Sequence, residues 1–281
     1  MKPQCLIAIF FALFSLTGFS QSGHLLVVSD ALTRKGIPYA TIKVLNKPDG
    51  TYADESGRFE VRTFDKDSLL VTCVGYQSKK VVPQQDTIFL NPVVVNLGEV
   101  KVRIKKPKEY AIGLADSKKD GTFCFCGNVH METSILIRIP DSFTFYRIKG
   151  VKFNSKHENG ISLIRLHIYS QGKDGMPDKE LLPEDVMINK YLKSNGQIDL
   201  SRFNLVLNDK TLFVGLENID SNVKLSLEKG ECIGIGITCK EKQNFTFTRS
   251  LKDPKYQWIP TFHGLQRKGN PENLMVSLII D

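Results

Sequence analysis

The chain has 281 residues, of which 41% are hydrophobic and 24% charged, so it can bury enough apolar surface for one large or two ordinary domains. It carries 38 Lys and Arg against 30 Asp and Glu, a formal net charge of +8 at pH 7. Because the basic residues are spread along the chain, this excess predicts weak attraction to anionic surfaces rather than a concentrated binding patch.

The N-terminal segment has the pattern of an export signal. Lys2 precedes an apolar run from Leu6 to Phe14, and Gly18 and Ser20 are suitable small residues before a cleavage site at Gln21. The run is too short for a membrane span in the mature protein, although a signal anchor is the alternative. We therefore expect a signal peptide, and a mature protein in the periplasm, at the cell surface or outside the cell. Nucleic acid is not an expected partner in these places.

Residues 21–96 are predicted to fold as a compact β-sandwich. Alternation of apolar and polar residues is clearest where Ala40, Ile42 and Val44 fall on one face of an extended chain, with polar residues between them. Turn sequences rich in Gly, Pro and Asp separate such segments. The pattern predicts about seven strands after the signal peptide of residues 1–20.

Residues 97–120 differ in composition from the segments on either side. Seven Lys and Arg crowd this stretch, which holds few large apolar residues. We interpret it as a basic linker. A charge run of this kind is usually solvated, although a basic tether could also contact an anionic surface.

Residues 121–281 return to the β pattern. Along the predicted strand 161–169, apolar residues alternate with Arg165, His167 and Tyr169. Many short strands with Gly-containing turns between them predict a second, larger β-sandwich.

The first domain resembles a known family. Four segments occur in the order that the carboxypeptidase regulatory-like (transthyretin-like) domain shows: Gly36–Ile42, Gly50–Phe59, Asp67–Val71 and Val74–Ser78. Leu97–Val102 is similar to the segment that follows this domain in many outer-membrane TonB-dependent transporters, but the plug and long barrel of a transporter do not follow here. The resemblance covers roughly residues 23–102 and implies a structural scaffold without an active site.

The second domain is similar in style to jelly-roll-like sandwiches of secreted bacterial proteins. The segments that carry this weaker resemblance are Leu166–Tyr169, Gly175–Pro177 and Leu212–Glu217. The expected fold is therefore all-β, with an N-terminal transthyretin-like sandwich followed by a larger jelly-roll-like sandwich.

The mature chain has an odd number of cysteines: Cys73, Cys124, Cys126, Cys232 and Cys239. In an oxidising compartment at least one thiol then stays unpaired. Buried thiols are the favoured interpretation, while bridges between Cys124 and Cys126 or between Cys232 and Cys239 stay open.

Motifs that carry catalysis are missing from the sequence. It contains no HExxH zinc motif, no GxSxG elbow, no phosphate-binding loop and no dinucleotide fingerprint. Cys124, Cys126 and His130 form the best metal candidate, but a zinc site usually needs a fourth ligand and the spacing matches no familiar finger. We therefore expect no catalytic residues, no metal site, no cofactor and no enzymatic activity.

Three aromatic residues are the candidate ligand-binding residues. Tyr256, Trp258 and Phe262 would share one face if this stretch were extended. Exposed, they would form a stacking platform for a sugar ring or a docking face for a protein. Buried, they would fill the sandwich, as apolar stripes usually do.

These observations favour a non-catalytic, exported envelope protein that binds glycan or protein ligands. One alternative is a hydrolase with an unrecognised site in the second sandwich, where carboxylates would converge on His167 or His263. Another is an accessory subunit of an outer-membrane transport complex, which would show an extended apolar patch.

Overall fold

In the computed structural model, the described part of the chain comprises residues 24–61, 67–93, 108–125, 130–157, 163–188, 196–219, 233–261 and 270–281. The predicted signal peptide lies outside this part, as do Phe262, Cys126, Cys232 and His263. Nearly all regular structure described is β-strand, together with a short 3-10 helix at Ser201–Phe203. The all-β prediction is confirmed. No helix within the described ranges is long and apolar enough to cross a membrane.

Seven strands build the first sandwich: β1 (His24–Asp30), β2 (Thr41–Val44), β3 (Asp49–Tyr52), β4 (Arg58–Val61), β5 (Leu69–Thr72), β6 (Lys79–Val81) and β7 (Thr87–Leu90). One sheet has the order β4-β1-β7 and the other β3-β2-β5-β6. Every second residue of β4 and β5 is buried, so that Phe59, Val61, Leu69 and Val71 join one core. The alternation in the sequence therefore produces the predicted sandwich.

The remaining strands build the second sandwich: β8 (Tyr110–Gly113), β9 (Gly121–Phe125), β10 (Met131–Arg138), β11 (Tyr146–Phe153), β12 (Ser155–His157), β13 (Leu163–Gln171), β14 (Pro177–Glu180), β15 (Val186–Met187), β16 (Gln197–Asp199), β17 (Val206–Leu207), β18 (Thr211–Ile219), β19 (Ile233–Thr238), β20 (Thr246–Ser250), β21 (Ile259–Pro260), β22 (Asn273–Leu274) and β23 (Val276–Ile280).

A seven-stranded sheet forms one layer of this second sandwich, in the order β14-β13-β18-β10-β20-β21 with β15 beside β13. The facing strands have the orders β16-β11-β23-β8 and β12-β19-β22. Ile164, Leu166 and Ile168 of β13 point into the shared core. Because successive side chains of a strand point to opposite faces, Arg165 and His167 lie on the outer face of this sheet.

Strand β8 lies within the span 97–120 that the composition predicts as a linker. Tyr110–Gly113 pairs with β23 at the edge of a sheet of the second sandwich. Residues 94–107 lie outside the described part of the chain. The exact domain boundaries therefore stay a prediction.

The first sandwich packs against the outer face of the seven-stranded sheet. Tyr52 of β3 forms a small apolar cluster with Ile219 and Leu251 from the second sandwich. Beside it, the Thr41 hydroxyl donates a hydrogen bond of 3.0 Å to Glu217 Oε1. The polar face of the sheet is consequently covered by protein at this end.

Candidate functional site

Four charged side chains lie side by side across the outer face of the seven-stranded sheet. The pairing register places Arg165 of β13 opposite Glu217 of β18, Glu217 opposite Glu132 of β10, and Glu132 opposite Arg249 of β20. Both carboxylates belong to buried residues. Charges can be buried only when they are paired and hydrogen-bonded, so this row must act as a connected network.

At one end of the row, Arg165 ties the two sandwiches together. Its Nη1 donates to Glu217 Oε2 at 2.8 Å and to the Thr41 hydroxyl at 3.2 Å. Its Nη2 donates to the Tyr39 carbonyl at 2.5 Å and to Asp185 Oδ2 at 3.1 Å. The side chain is only 1% exposed, so this guanidinium is satisfied almost entirely by protein groups from both sandwiches.

In the middle of the network, His167 bridges two carboxylates. Its Nδ1 lies 2.6 Å from Glu180 Oε2, and its Nε2 lies 3.1 Å from Glu217 Oε2. Burial alone would lower the His167 pKa, but the nearby charge of Glu132 and the hydrogen bonds to Glu180 and Glu217 outweigh it and raise this pKa to about 10. The ring is therefore an imidazolium at neutral pH, with both nitrogens occupied.

This raised pKa predicts a specific pH dependence of stability. In the unfolded chain the His167 pKa falls back to about 6.5, so the folded state binds the extra proton above that pH. The stabilisation is complete below pH 6.5 and is lost as the pH rises toward 10. We expect the difference in free energy of unfolding between wild type and His167→Gln to shrink by roughly 1 kcal/mol per pH unit in this window.

Urea unfolding of wild type and His167→Gln at intervals between pH 6 and 10 measures this difference directly. Tyrosine, lysine and cysteine titrations affect both proteins alike and cancel in the comparison. Two parallel stability curves would show that His167 is not held as an imidazolium.

At the other end of the row, Glu132 anchors Arg249. Glu132 Oε1 accepts a hydrogen bond of 2.8 Å from the Tyr169 hydroxyl, and Oε2 accepts one of 2.8 Å from Arg249 Nε. Arg249 Nη2 also lies 2.6 Å from Glu132 Oε2 and donates to the Tyr169 hydroxyl at 3.2 Å. The guanidinium is thus fixed by a buried carboxylate while its side chain stays 23% exposed.

Two of the predicted ligand-binding residues surround this guanidinium. The Tyr256 and Trp258 ring centroids lie 4.8 and 4.5 Å from Arg249 Cζ, within cation–π distance. Trp258 also contacts Tyr169 edge-on, with ring centroids 6.3 Å apart. Both rings are half-buried. We call Arg249, Tyr256 and Trp258 the Arg249 cluster.

The arrangement of these aromatic rings differs from the extended row that the sequence suggested. Tyr256 has φ of 47°, in the left-handed region, so the chain bends at this residue instead of running straight. Both rings nevertheless lie within cation–π distance of Arg249. Phe262 lies outside the described residues, and the ligand-binding role of all three residues stays a prediction.

Of the metal candidate, Cys126 lies outside the described part of the chain, and Cys124 and His130 lie within it. No group of three His, Cys, Asp or Glu side chains there is placed to hold a metal ion. Cys73 is buried with its Sγ 3.8 Å from Asp185 Oδ2. Burial, together with the charge of Asp185, raises the pKa of this thiol to about 12, so it stays protonated at neutral pH.

Sequence reasoning identified Tyr256, Trp258 and His167 but missed Glu132, Glu217 and Arg249. The one available signal was a charged residue within each of three strands that are otherwise mostly apolar or uncharged. Buried charges in strand interiors call for a partner. The partner itself could be named only once the register was known.

Comparisons with known proteins support the assignment of the first domain. Residues 27–102 match the family of CarboxypepD_reg-like domains. No curated protein matches the chain. Among solved structures, a protein from Bacteroides uniformis that has been proposed to bind carbohydrate is 11% identical, with a TM-score of 0.22, over 92% of this chain and 97% of its own.

The infectious bursal disease virus VP2 subviral particle is 12% identical over 91% of this chain and 62% of its own, with a TM-score of 0.28. TM-scores this far below 0.5 support no conclusion about the fold or the ligand of this chain.

Proposed function

From the premise that the chain is a protein with a carboxypeptidase regulatory-like domain, we propose that it is a non-catalytic, exported envelope protein that binds glycan or protein ligands. The N-terminal export pattern supports a place in the periplasm, at the cell surface or outside the cell. The second sandwich binds the ligand through the Arg249 cluster.

The observation that carries this proposal is the pair of half-buried rings held on a fixed guanidinium. Stacking on Arg249 orders Tyr256 and Trp258 before any ligand arrives, so little side-chain entropy is lost on binding. Ile259, which follows directly in the chain, is 49% exposed and extends the apolar area. Pre-ordered aromatic side chains with one wet side suit both a sugar ring and a protein side chain.

The hydrolase alternative has one specific observation in its favour, because carboxylates do converge on His167. A general base, however, needs a free nitrogen within reach of a substrate. Both ring nitrogens of His167 are occupied by Glu180 and Glu217, and the side chain is only 8% exposed. This geometry suits a buried structural ion pair better than proton transfer.

Glycan-array binding by the mature protein tests the proposal, with Trp258→Ala as the variant. Loss of a central aromatic contact commonly costs about 2 kcal/mol, so we expect roughly 30-fold weaker binding. Phe145→Ala is the matched control, because Phe145 is a 69% exposed aromatic residue that precedes β11 in the opposite layer. Its removal should leave the affinity unchanged.

Equal affinities of wild type and Trp258→Ala for every bound glycan or protein would rule out the Arg249 cluster as the binding site. Turnover of glycosides, esters or peptides by the purified wild type would reject the non-catalytic assignment.

A further inference from the structure

The charge balance around the Arg249 cluster bears on the class of ligand, an inference that rests on the proposed binding function. A net charge of +8 for the whole chain would suggest acidic glycans as ligands. The balance of charges close to the Arg249 cluster is different. Glu132 already takes the Nε and Nη2 side of the Arg249 guanidinium, so the positive charge closest to the aromatic rings is compensated.

The network behind Arg249 has no excess of positive charge either. Its cationic groups are fewer than its carboxylates, with three facing four: Arg165, His167 and Arg249 against Glu132, Glu180, Asp185 and Glu217. Buried charges are screened much less by salt than exposed ones. A ligand carboxylate placed over the rings would therefore meet an environment that does not favour a further negative charge.

The exposed lysines that the structure describes at the rim do not reverse this balance. Lys252 Nζ lies 3.7 Å from Asp49 Oδ1. Lys255 shares a turn with Asp253, whose Oδ1 accepts a 3.0 Å hydrogen bond from the Lys255 backbone N–H. Among the described residues of this rim, Lys252 is thus paired with a carboxylate, and the Asp253 carboxylate lies in the same turn as Lys255.

What the cluster does offer is apolar ring surface and one donor. Aromatic side chains such as Trp258 have a large apolar body that can cover the C–H face of a sugar. Arg249 Nη1 makes no hydrogen bond to any residue in the described part of the chain, and the side chain is partly exposed. This nitrogen can donate to a ligand hydroxyl.

We infer that the Arg249 cluster binds an uncharged sugar ring, which packs against the exposed part of Trp258 beside the guanidinium and accepts a hydrogen bond from Arg249 Nη1. Local compensation of charge, rather than the charge of the whole chain, then selects the ligand. A sugar hydroxyl can use the remaining donor without requiring an unbalanced positive charge.

Matched pairs of oligosaccharides test this inference with the unmodified mature protein. Each pair consists of a uronic-acid oligosaccharide and its carboxyl-reduced form, which share ring and linkage and differ only in charge. We expect the neutral member to bind at least about tenfold more tightly, a difference of 1.4 kcal/mol. The affinity of the neutral member should change little between about 0.05 and 0.5 M salt. Salt at about 0.1 M and above screens exposed charges, and an uncharged ligand has no charge to screen.

Two variants identify the contacts. Trp258→Ala should weaken binding of the neutral member roughly 30-fold. Arg249→Lys should weaken it about tenfold, because lysine keeps the charge but loses the planar fork that leaves Nη1 free. Far-ultraviolet circular dichroism and thermal unfolding check that the variants stay folded.

The outcomes separate this inference from the proposed function. Tighter, salt-sensitive and Trp258-dependent binding of the acidic member would overturn the inference and leave the binding function in place, as would Trp258-dependent binding of a protein alone. Absence of any Trp258-dependent binding would reject both.

Discussion

Replacing Arg165 with Met is expected to lower the free energy of unfolding by about 3–5 kcal/mol. Arg165 is 1% exposed and lies 2.8 Å from Glu217 Oε2 and 3.1 Å from Asp185 Oδ1. Methionine has a similar length and fills much of the space, but it removes the cation from Asp185 and leaves the buried Glu217 with only His167 as a cationic partner. The cost comes mainly from these undercompensated carboxylates and not from lost volume.

Arg202→Met is the matched control for this experiment. Arg202 pairs with Glu184 at 2.8 Å, but both side chains are exposed, at 46% and 59%. Exposed ion pairs contribute about 0–1 kcal/mol, so this variant should unfold nearly like the wild type. Chemical denaturation at pH 7 measures both. A loss below 1 kcal/mol for Arg165→Met would contradict the assignment of Arg165 as the tie between the sandwiches.

Gly215→Ala is expected to lower the free energy of unfolding by about 1–3 kcal/mol and to weaken ligand binding. A Cβ at this position would lie 2.7 Å from Glu132 Oε1 and 3.1 Å from both His167 Cβ and Tyr169 Cε2. Glu132 must then move away from the position in which it anchors Arg249. Because Arg249 orders Tyr256 and Trp258, we expect binding to fall about tenfold.

Ser134→Ala is the control for the glycine variant. Ser134 lies directly opposite Gly215 in the pairing of β10 with β18. Its hydroxyl is buried and has no hydrogen-bond partner among the described residues. Removing it should leave stability unchanged or slightly raised, within about 1 kcal/mol. Equal ligand affinity of wild type and Gly215→Ala would show that Glu132 does not position the aromatic rings.

Strand β13 illustrates how far the sequence alone could lead. Its alternation separated Ile164, Leu166 and Ile168 from the polar residues between them, and the structure places those three in the core. The alternation did not reveal that the polar face is covered as well. Arg165 is buried because the first sandwich packs over it, and His167 because the side chains of Glu180, Glu217 and Tyr169 surround it. A period of two carries no information about such neighbours.

The candidate site also combines residues that the sequence singles out with contacts that only the tertiary structure reveals. Trp258 stood out as the only tryptophan of the chain, and the aromatic spacing around it left a binding face and core packing as the two alternatives. Glu132 and Arg249, which hold this face in place, are 117 residues apart. Only the antiparallel pairing of β10 with β20 brings them together.

The amino-acid sequence by itself determined the strands, the turns and the family of the first domain, because these follow from side-chain alternation and from turn residues over a few positions. The tertiary structure decided which charges meet, which polar face is buried and how Tyr256 bends toward Arg249. Strand register and domain packing set these contacts, and both depend on residues far apart in the chain.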